Sequence, residues 1–232
     1  MSTRKINEVA PLQLNRKAVV CHALAIADAE GLAAVTIRRL AQDLGVTPMA
    51  LYWHFSNKEA LLDAMGDELF DGLPPDPHPW LPWQEQLREL VGALTVALRA
   101  HPNVAVLAAP RVLLNEEGRQ LTEAALELLR LAGFAVEQAA EVARHLLRTA
   151  ISLVIEQAVT WGNSDPDQFA KDIGLKRLAL YGLPPDRFPR LIEAADALTD
   201  CSDEEAFYGF GIDLLIAGIA TVRPEAPTPE MR

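Results

Sequence analysis

Residues 36–58, Thr-Ile-Arg-Arg-Leu-Ala-Gln-Asp-Leu-Gly-Val-Thr-Pro-Met-Ala-Leu-Tyr-Trp-His-Phe-Ser-Asn-Lys, constrain this chain more than any other stretch. Leu40, Leu44, Val46 and Leu51 lay an apolar seam along two short helices, and Ala41 is small enough for the second to cross close over the first. Gly45 between them permits a left-handed turn at little steric cost. Thr36 and Thr47 stand where helix N-caps are expected, each able to accept a backbone N–H, and Pro48 suits a first helical position. Two helix starts and one crossing are therefore specified within a single short segment.

The side chains left outside this seam suit a nucleic-acid duplex. Arg38 and Lys58 can meet phosphates, and Tyr52, Trp53 and His54 offer donors or flat apolar contacts. Thr36 and Thr47 are counted with them as DNA-binding residues, and the turn from Thr47 through Pro48, Met49 and Ala50 is placed for base edges. Met49 and Ala50 have no hydrogen-bonding side chain, so they are expected to touch thymine methyls or leave room, which makes direct readout modest. The competing reading is an ordinary packed helix pair with its aromatics in the core. The concurrence of turn, caps, small residue and exposed cations favours the DNA-reading unit.

A net charge of −11 looks unsuited to DNA until it is divided along the chain. Residues 1–62 hold seven Lys/Arg against five Asp/Glu, whereas the remainder holds fourteen against 27. A slightly basic head on an acidic body favours end-on docking to a polyanion. Glu116-Glu117 and Asp203-Glu-Glu205 read as solvated helix starts. The two cysteines, Cys21 and Cys201, cannot make a disulfide framework and are expected as buried thiols. No basic, apolar, small-residue leader opens the chain and the longest apolar run, 214–222, is too short to span a bilayer, so a cytoplasmic protein with no membrane partner is expected.

Apolar spacing is helical throughout, so the expected fold class is all-α: an N-terminal three-helix helix-turn-helix DNA-binding domain joined to a larger helical ligand-binding and dimerisation domain. The first helix runs from Asn15 to Glu30 and stops at Gly31, and Asn57 caps another to about Asp71. The proline-rich 72–79 stretch sets the boundary, giving domains 1–72 and 73–223 and a frayed tail at 224–232. Further helices are expected from about Pro82 to Arg99, Asn115 to Ala132, Val136 to Trp161, Pro189 to Ala197 and Cys201 to Val222, with a short piece near Val104 to Leu107. Residues 165–186 stay open between a partial helix and a mobile loop. The last helix carries Phe207, Tyr208, Phe210, Ile212, Leu214, Leu215, Ile216 and Ile219 around nearly its whole circumference. Either it forms, with 136–161, half of a four-helix homodimer interface, or it is the central helix of a monomer.

Enzyme readings find no support: the five histidines, His22, His54, His78, His101 and His145, show no metal-ligand spacing, and no phosphate loop or nucleophile motif occurs. No cofactor and no metal are expected.

The segment Leu51-Tyr-Trp-His-Phe-Ser-Asn-Lys-Glu-Ala-Leu-Leu-Asp63 resembles the join between recognition helix and fourth helix in the tetracycline-repressor family of transcriptional regulators. The resemblance extends from about Leu14 to Val222. Trp83-Gln84, Arg99-Ala-His-Pro102, Ala132-Gly-Phe134 and 206–218 carry a likeness of the C-terminal part to the tetracycline repressor itself. By that resemblance the operator-contacting roles fall on Arg38, Pro48, Met49, Ala50, Tyr52, Trp53, His54 and Lys58, with Pro48, Met49 and Ala50 departing from the tetracycline repressor's residues. The resemblance also implies a homodimer on a pseudo-palindromic double-stranded operator, most simply a repressor.

An effector pocket is then expected between the helices beginning near Pro82, Asn115 and Val136. Its lining would include Leu87, Leu90, Val91, Leu94, Leu107, Leu129, Leu147 and Leu153, with His145, Arg148, Thr149, Ser152 and Glu156 as polar anchors. Where the tetracycline repressor places drug-chelating and metal-binding side chains this sequence has Pro74, Leu90, Leu94, Ala108 and Ala125, with only Glu156 kept. Tetracycline with magnesium is therefore not the expected inducer, and a small, largely apolar molecule fits better. Glu156 reads equally as a ligand contact or as a rim or interface carboxylate. Ligand is expected to shift the helix from Asn57 to Asp71 like a lever, so that two heads lose operator spacing. A helical small-molecule carrier with a non-functional DNA-binding head remains the alternative.

Overall fold

The computed structural model describes residues 15–161, 166–200 and 203–222, all of whose regular structure is helical. The amino-terminal head is built from α1 (Arg16–Glu30), α2 (Ile37–Asp43), α3 (Pro48–Tyr52) and α4 (Lys58–Glu68). Each of these begins at a polar residue whose side-chain oxygen takes a backbone N–H of the first turn. Asn15 accepts from Ala18 at 2.8 Å, Thr36 from Arg39 at 3.1 Å, Thr47 from Ala50 at 3.3 Å and Asn57 from Ala60 at 2.8 Å. Such caps satisfy donors that the helix itself cannot. Gly45 sits at φ 66°, the left-handed turn between α2 and α3.

Beneath these helices lies a shared core of Val19, Ala23, Leu24, Val35, Leu40, Ala41, Leu51, Phe55, Leu61 and Met65. Leu44 and Val46, from the predicted seam, are half-buried against it. Cys21 is exposed, which corrects its expected burial. The buried stripe of α1 is Val19, Val20, Ala23, Leu24, Ile26 and Ala27, and residue 21 falls on the other side of a helix that buries one face only. Cys201, residues 1–14 and the 224–232 tail lie outside the described residues.

A connector from Gly72 to Pro82 leads to the body, whose helices are α5 (Trp83–Arg99), α6 (Ala108–Arg111), α7 (Glu116–Leu131), α8 (Val136–Trp161), α9 (Pro166–Tyr181), α10 (Pro189–Glu193), α11 (Ala195–Thr199) and α12 (Glu204–Thr221). A short 3-10 turn, Ala105–Leu107, precedes α6. Helix α5 is central, packing against α7, α8 and α12 with Leu87, Leu90, Val91, Leu94 and Leu98 buried. Two arginines three turns apart on α5 hold α12. Arg88 reaches Asp213, and Arg99 meets Glu204 and Glu205 while its guanidinium lies 4.3 Å from the Tyr208 ring centroid. The Arg88 hydrogen bond holds the Asp213 carboxyl below the ordinary carboxylate range.

Two expectations change here. The ambiguous 165–186 region contains a regular helix, α9, because Pro166 serves as a first-turn residue rather than a breaker. The single helix expected over Pro189–Ala197 is two short ones meeting at Ala194. Helices α9, α10 and α11 pack chiefly against one another and stand apart from the main core.

Candidate DNA interface and effector cavity

The short α3 turns Leu51 inward and leaves Met49 68% and Trp53 86% exposed, with Tyr52 also exposed. Thr36, Arg38, Thr47 and Pro48 are exposed on the same head, whereas Ala50, His54 and Lys58 are half-buried. The predicted contact residues are thereby brought to one end of the molecule, around α3 and the adjoining starts of α2 and α4. Phe55, two positions beyond Trp53, goes the other way and is sealed in the core.

Adjacent arginines divide their labour. Arg38 makes no ion pair among the described residues and projects to solvent. Arg39 donates to Glu30 at 2.9 and 3.1 Å and to Asp43 at 2.7 Å, joining the end of α1 to both turns of α2. Its hydrogen bonds to Glu30 and then to Asp43 raise its guanidinium above the ordinary range, and the same bonds make it a brace between α1 and α2. Arg16 lies over the Phe55 ring at 4.8 Å and donates to the His54 carbonyl at 3.3 Å, fastening the end of α3 to α1. The sequence reading did not single out these braces, because nothing local distinguishes Arg39 from Arg38.

Inside the body is a cavity of about 300 Å³ lined by Leu90, Val91 and Leu94 of α5, Leu121, Thr122, Ala125 and Leu126 of α7, Ala140, Ala143, Arg144, Leu146 and Leu147 of α8, and Val112 and Leu113 after α6. It lies between the three helices expected, and its wall is apolar apart from Thr122 and Arg144. The Thr122 hydroxyl donates to the Gly118 carbonyl at 2.8 Å, inside its own helix.

Of the predicted effector residues, Leu90, Val91, Leu94 and Leu147 line this cavity and the others do not. Leu107 and Ala108 lie beside α4, Ala108 fully buried. His145, Arg148, Ser152 and Glu156 are exposed and Thr149 is half-buried. At about 100° per residue the cavity face of α8, centred on Ala140, Ala143 and Leu147, is nearly opposite the stripe carrying residues 145, 148, 152 and 156. The apolar stripe faces inward and the polar stripe outward, as in any amphipathic helix, so the polar anchors expected on α8 stand away from the cavity.

Sequence reasoning also missed the link between cavity and head. Arg111 of α6 donates to both carboxylate oxygens of Asp67 on α4, at 2.8 and 3.0 Å, and lies 3.4 Å from Asp63. This pairing, first through the Asp67 hydrogen bonds, raises the Arg111 guanidinium above its usual range. A Cβ at Gly66 would sit 2.8 Å from Arg111 Cγ and 3.1 Å from the Leu107 carbonyl oxygen, so glycine is what lets the two helices meet. A second tie joins the turn after α5 to α1: His101 Nδ1 lies 2.8 Å from Asp28 Oδ2, and Asn103 donates to the Ala27 and Asp28 carbonyls.

A second cavity, about 270 Å³, lies under the connector and is lined by Pro75, Asp76, Pro77, His78, Gln86, Glu89, Leu90, Ala124, Glu127, Leu128 and Leu131. Leu90 is the wall it shares with the first. His78 Nδ1 lies 2.8 Å from Glu89 Oε2 here, and the charged lining is acidic. Among the described residues no group of three or more His, Cys, Asp or Glu is arranged to hold a metal, and no helix is long and apolar enough to cross a membrane.

A capped helix-turn-helix head carried on a helical, cavity-bearing body defines the class of DNA-binding transcriptional regulators with a separate regulatory domain. Comparison with known proteins narrows it: residues 22–65 match the family described as bacterial regulatory proteins, tetR family, and residues 76–223 match the tetracyclin repressor-like C-terminal domain. The chain belongs to the TetR family of transcriptional regulators and is not an enzyme. The class E tetracycline repressor of Escherichia coli is 29% identical over 204 residues, 87% of this chain and 89% of that protein. Among solved structures, Streptomyces coelicolor ActR in complex with actinorhodin superposes with a TM-score of 0.74 at 31% identity, covering 91% of this chain and 100% of ActR. BioQ with its natural double-stranded DNA operator superposes at 0.60 with 27% identity, covering 90% of this chain and 100% of BioQ.

Proposed function

We propose that this regulator is a repressor that binds a pseudo-palindromic operator as a homodimer and is released by a small, largely apolar effector. Residues 1–72 act as the DNA-binding domain, with Trp53, Tyr52, Met49 and Pro48 at the bases and Arg38 and Lys58 on phosphates. Residues 73–223 act as the effector and dimerisation domain, in the cytoplasm where operator DNA is. The observation that carries the regulatory part is the Arg111–Asp67 pair. Val112 and Leu113 are in the cavity wall, and the residue before them is bonded to the helix that supports the head. An occupant that displaces Val112 and Leu113 therefore pulls on α4.

Dimerisation supplies the lever's purpose. Helix α12 exposes Phe210 by 66% and Leu214 by 58% beside α8, an apolar cost that a second copy removes. With two heads held apart at a fixed distance, a small rotation of α4 spoils their match to successive major grooves.

The test is selection of duplex fragments from a random pool by the purified protein, followed by titration with effector candidates. A palindromic consensus whose binding weakens steeply with salt supports the repressor, whereas salt-independent or absent binding favours the carrier reading. Reciprocity requires saturating operator to weaken effector binding by the factor by which effector weakens operator binding, and unequal factors overturn the coupling.

A further inference from the structure

We propose that the effector is an anionic amphiphile, an apolar body ending in a carboxylate, and that Arg144 is the residue that receives its charged end. The inference deepens the effector-binding reading above and rests on that cavity being the effector site. Its interior offers an incoming molecule almost nothing polar: the one hydroxyl, on Thr122, is already spent on Gly118, and the remaining wall is aliphatic. Binding energy must come from burial, and orientation from whatever polar group stands at the rim.

That group is Arg144. Among the described residues it is the only charged one in the wall, on the α8 turn between Ala140, Ala143 and Leu147, with its side chain 67% exposed at the border between the cavity face and the outward stripe. Its guanidinium is paired with Glu141, which is also more than half exposed. An exposed pair of this kind contributes little and exchanges readily. Glu141 has a second partner, His145 Nε2 at 3.2 Å, so Arg144 can turn to a ligand without leaving that carboxylate alone. A planar guanidinium receives a carboxylate through two parallel hydrogen bonds, which a hydroxyl or an amine cannot offer. The adjoining cavity under the connector has the opposite character. Asp76, Glu89 and Glu127 line it, so an anion is directed to the Arg144 side of Leu90.

The test is calorimetric titration of the full-length protein, without DNA and at low ionic strength, using octanoate, octan-1-ol and octylamine as probes of equal chain length. Octanoate is expected to bind about tenfold more tightly than octan-1-ol, a difference of about 1.4 kcal/mol. Arg144→Gln should bring the two within about twofold of each other by weakening octanoate alone, and Arg144→Lys should fall between. Ala125→Leu, which fills the cavity from α7, should abolish both, and Glu89→Gln in the other cavity should change neither. An octanoate preference that survives Arg144→Gln, octylamine binding as tightly as octanoate, or no octanoate binding to the wild type would each overturn the proposal. Operator binding by fluorescence anisotropy, run in parallel, separates outcomes: a protein that holds DNA yet ignores octanoate loses this inference and keeps its function.

Discussion

Arg38 and Arg39 are neighbours in sequence with opposite surroundings, one exposed and one paired, and on the proposed reading substituting each should separate DNA binding from folding. Arg38→Ala should weaken binding uniformly across operator sequences and lower the slope of log affinity against log salt by about one, with an unchanged unfolding transition. Arg39→Ala should lower the melting temperature of the head, since it removes the brace between Glu30 and Asp43. Trp53 and Tyr52 belong with Arg38. Trp53→Ala or Tyr52→Ala is expected to cost about ten- to a hundredfold in operator affinity, within the usual 1–3 kcal/mol of a specific contact, while circular dichroism stays native. Phe55, in the same aromatic cluster, should behave oppositely: Phe55→Ala leaves a cavity beneath α3 and should destabilise the fold by about 3–5 kcal/mol in urea unfolding. The motif was legible in the residues, but which of its aromatics face out was settled by the packing of Leu51 and Phe55 against α1.

Between elements, the short α6 matters more than its four residues suggest. Arg111→Ala should leave effector binding nearly intact and operator binding measurable, yet shrink the coupling between them by about 1 kcal/mol or more of a typical 1–3. Asp67→Asn should do the same from the other side, and unchanged coupling in both variants would rule out this route. The α5–α12 join has its own signature in acid. Because Asp213 is held below its ordinary range by Arg88, its contribution is present above about pH 3.9 and fades as pH falls through the lowered value. Wild type and Asp213→Asn should therefore differ in stability at pH 6, and the difference should shrink as the pH is taken below about 3.9. Helix α6 is invisible to periodicity because it is a single turn, and the flanking prolines keep α9 ambiguous in the sequence. For α6 the outcome is set by its packing against α4, and for α9 by the place of Pro166 in its first turn.

At the scale of the whole molecule, the outward faces of α12 and α8 should decide the oligomeric state. Leu214→Glu or Phe210→Glu should turn a dimer in sedimentation equilibrium into a monomer that retains its helical content. Operator affinity should fall by about 10²–10⁴, the usual gain from joining two reading heads. A wild-type monomer at micromolar concentration would contradict the dimer. The division of charge along the chain also acts here, since the acidic body must point away from the DNA whichever way the heads approach.

The sequence by itself determined the all-helical class, the capped helix starts, the turn at Gly45 and the reading head. Each depends on interactions within a few residues, and those leave a signature at fixed spacing. Tertiary structure alone decided that the apolar face of α8 borders the cavity, that Arg144 rather than His145 or Arg148 stands at its rim, and that Arg111 reaches Asp67 across 44 positions of chain. An amphipathic pattern says that a face is buried, but only packing against other helices says against what.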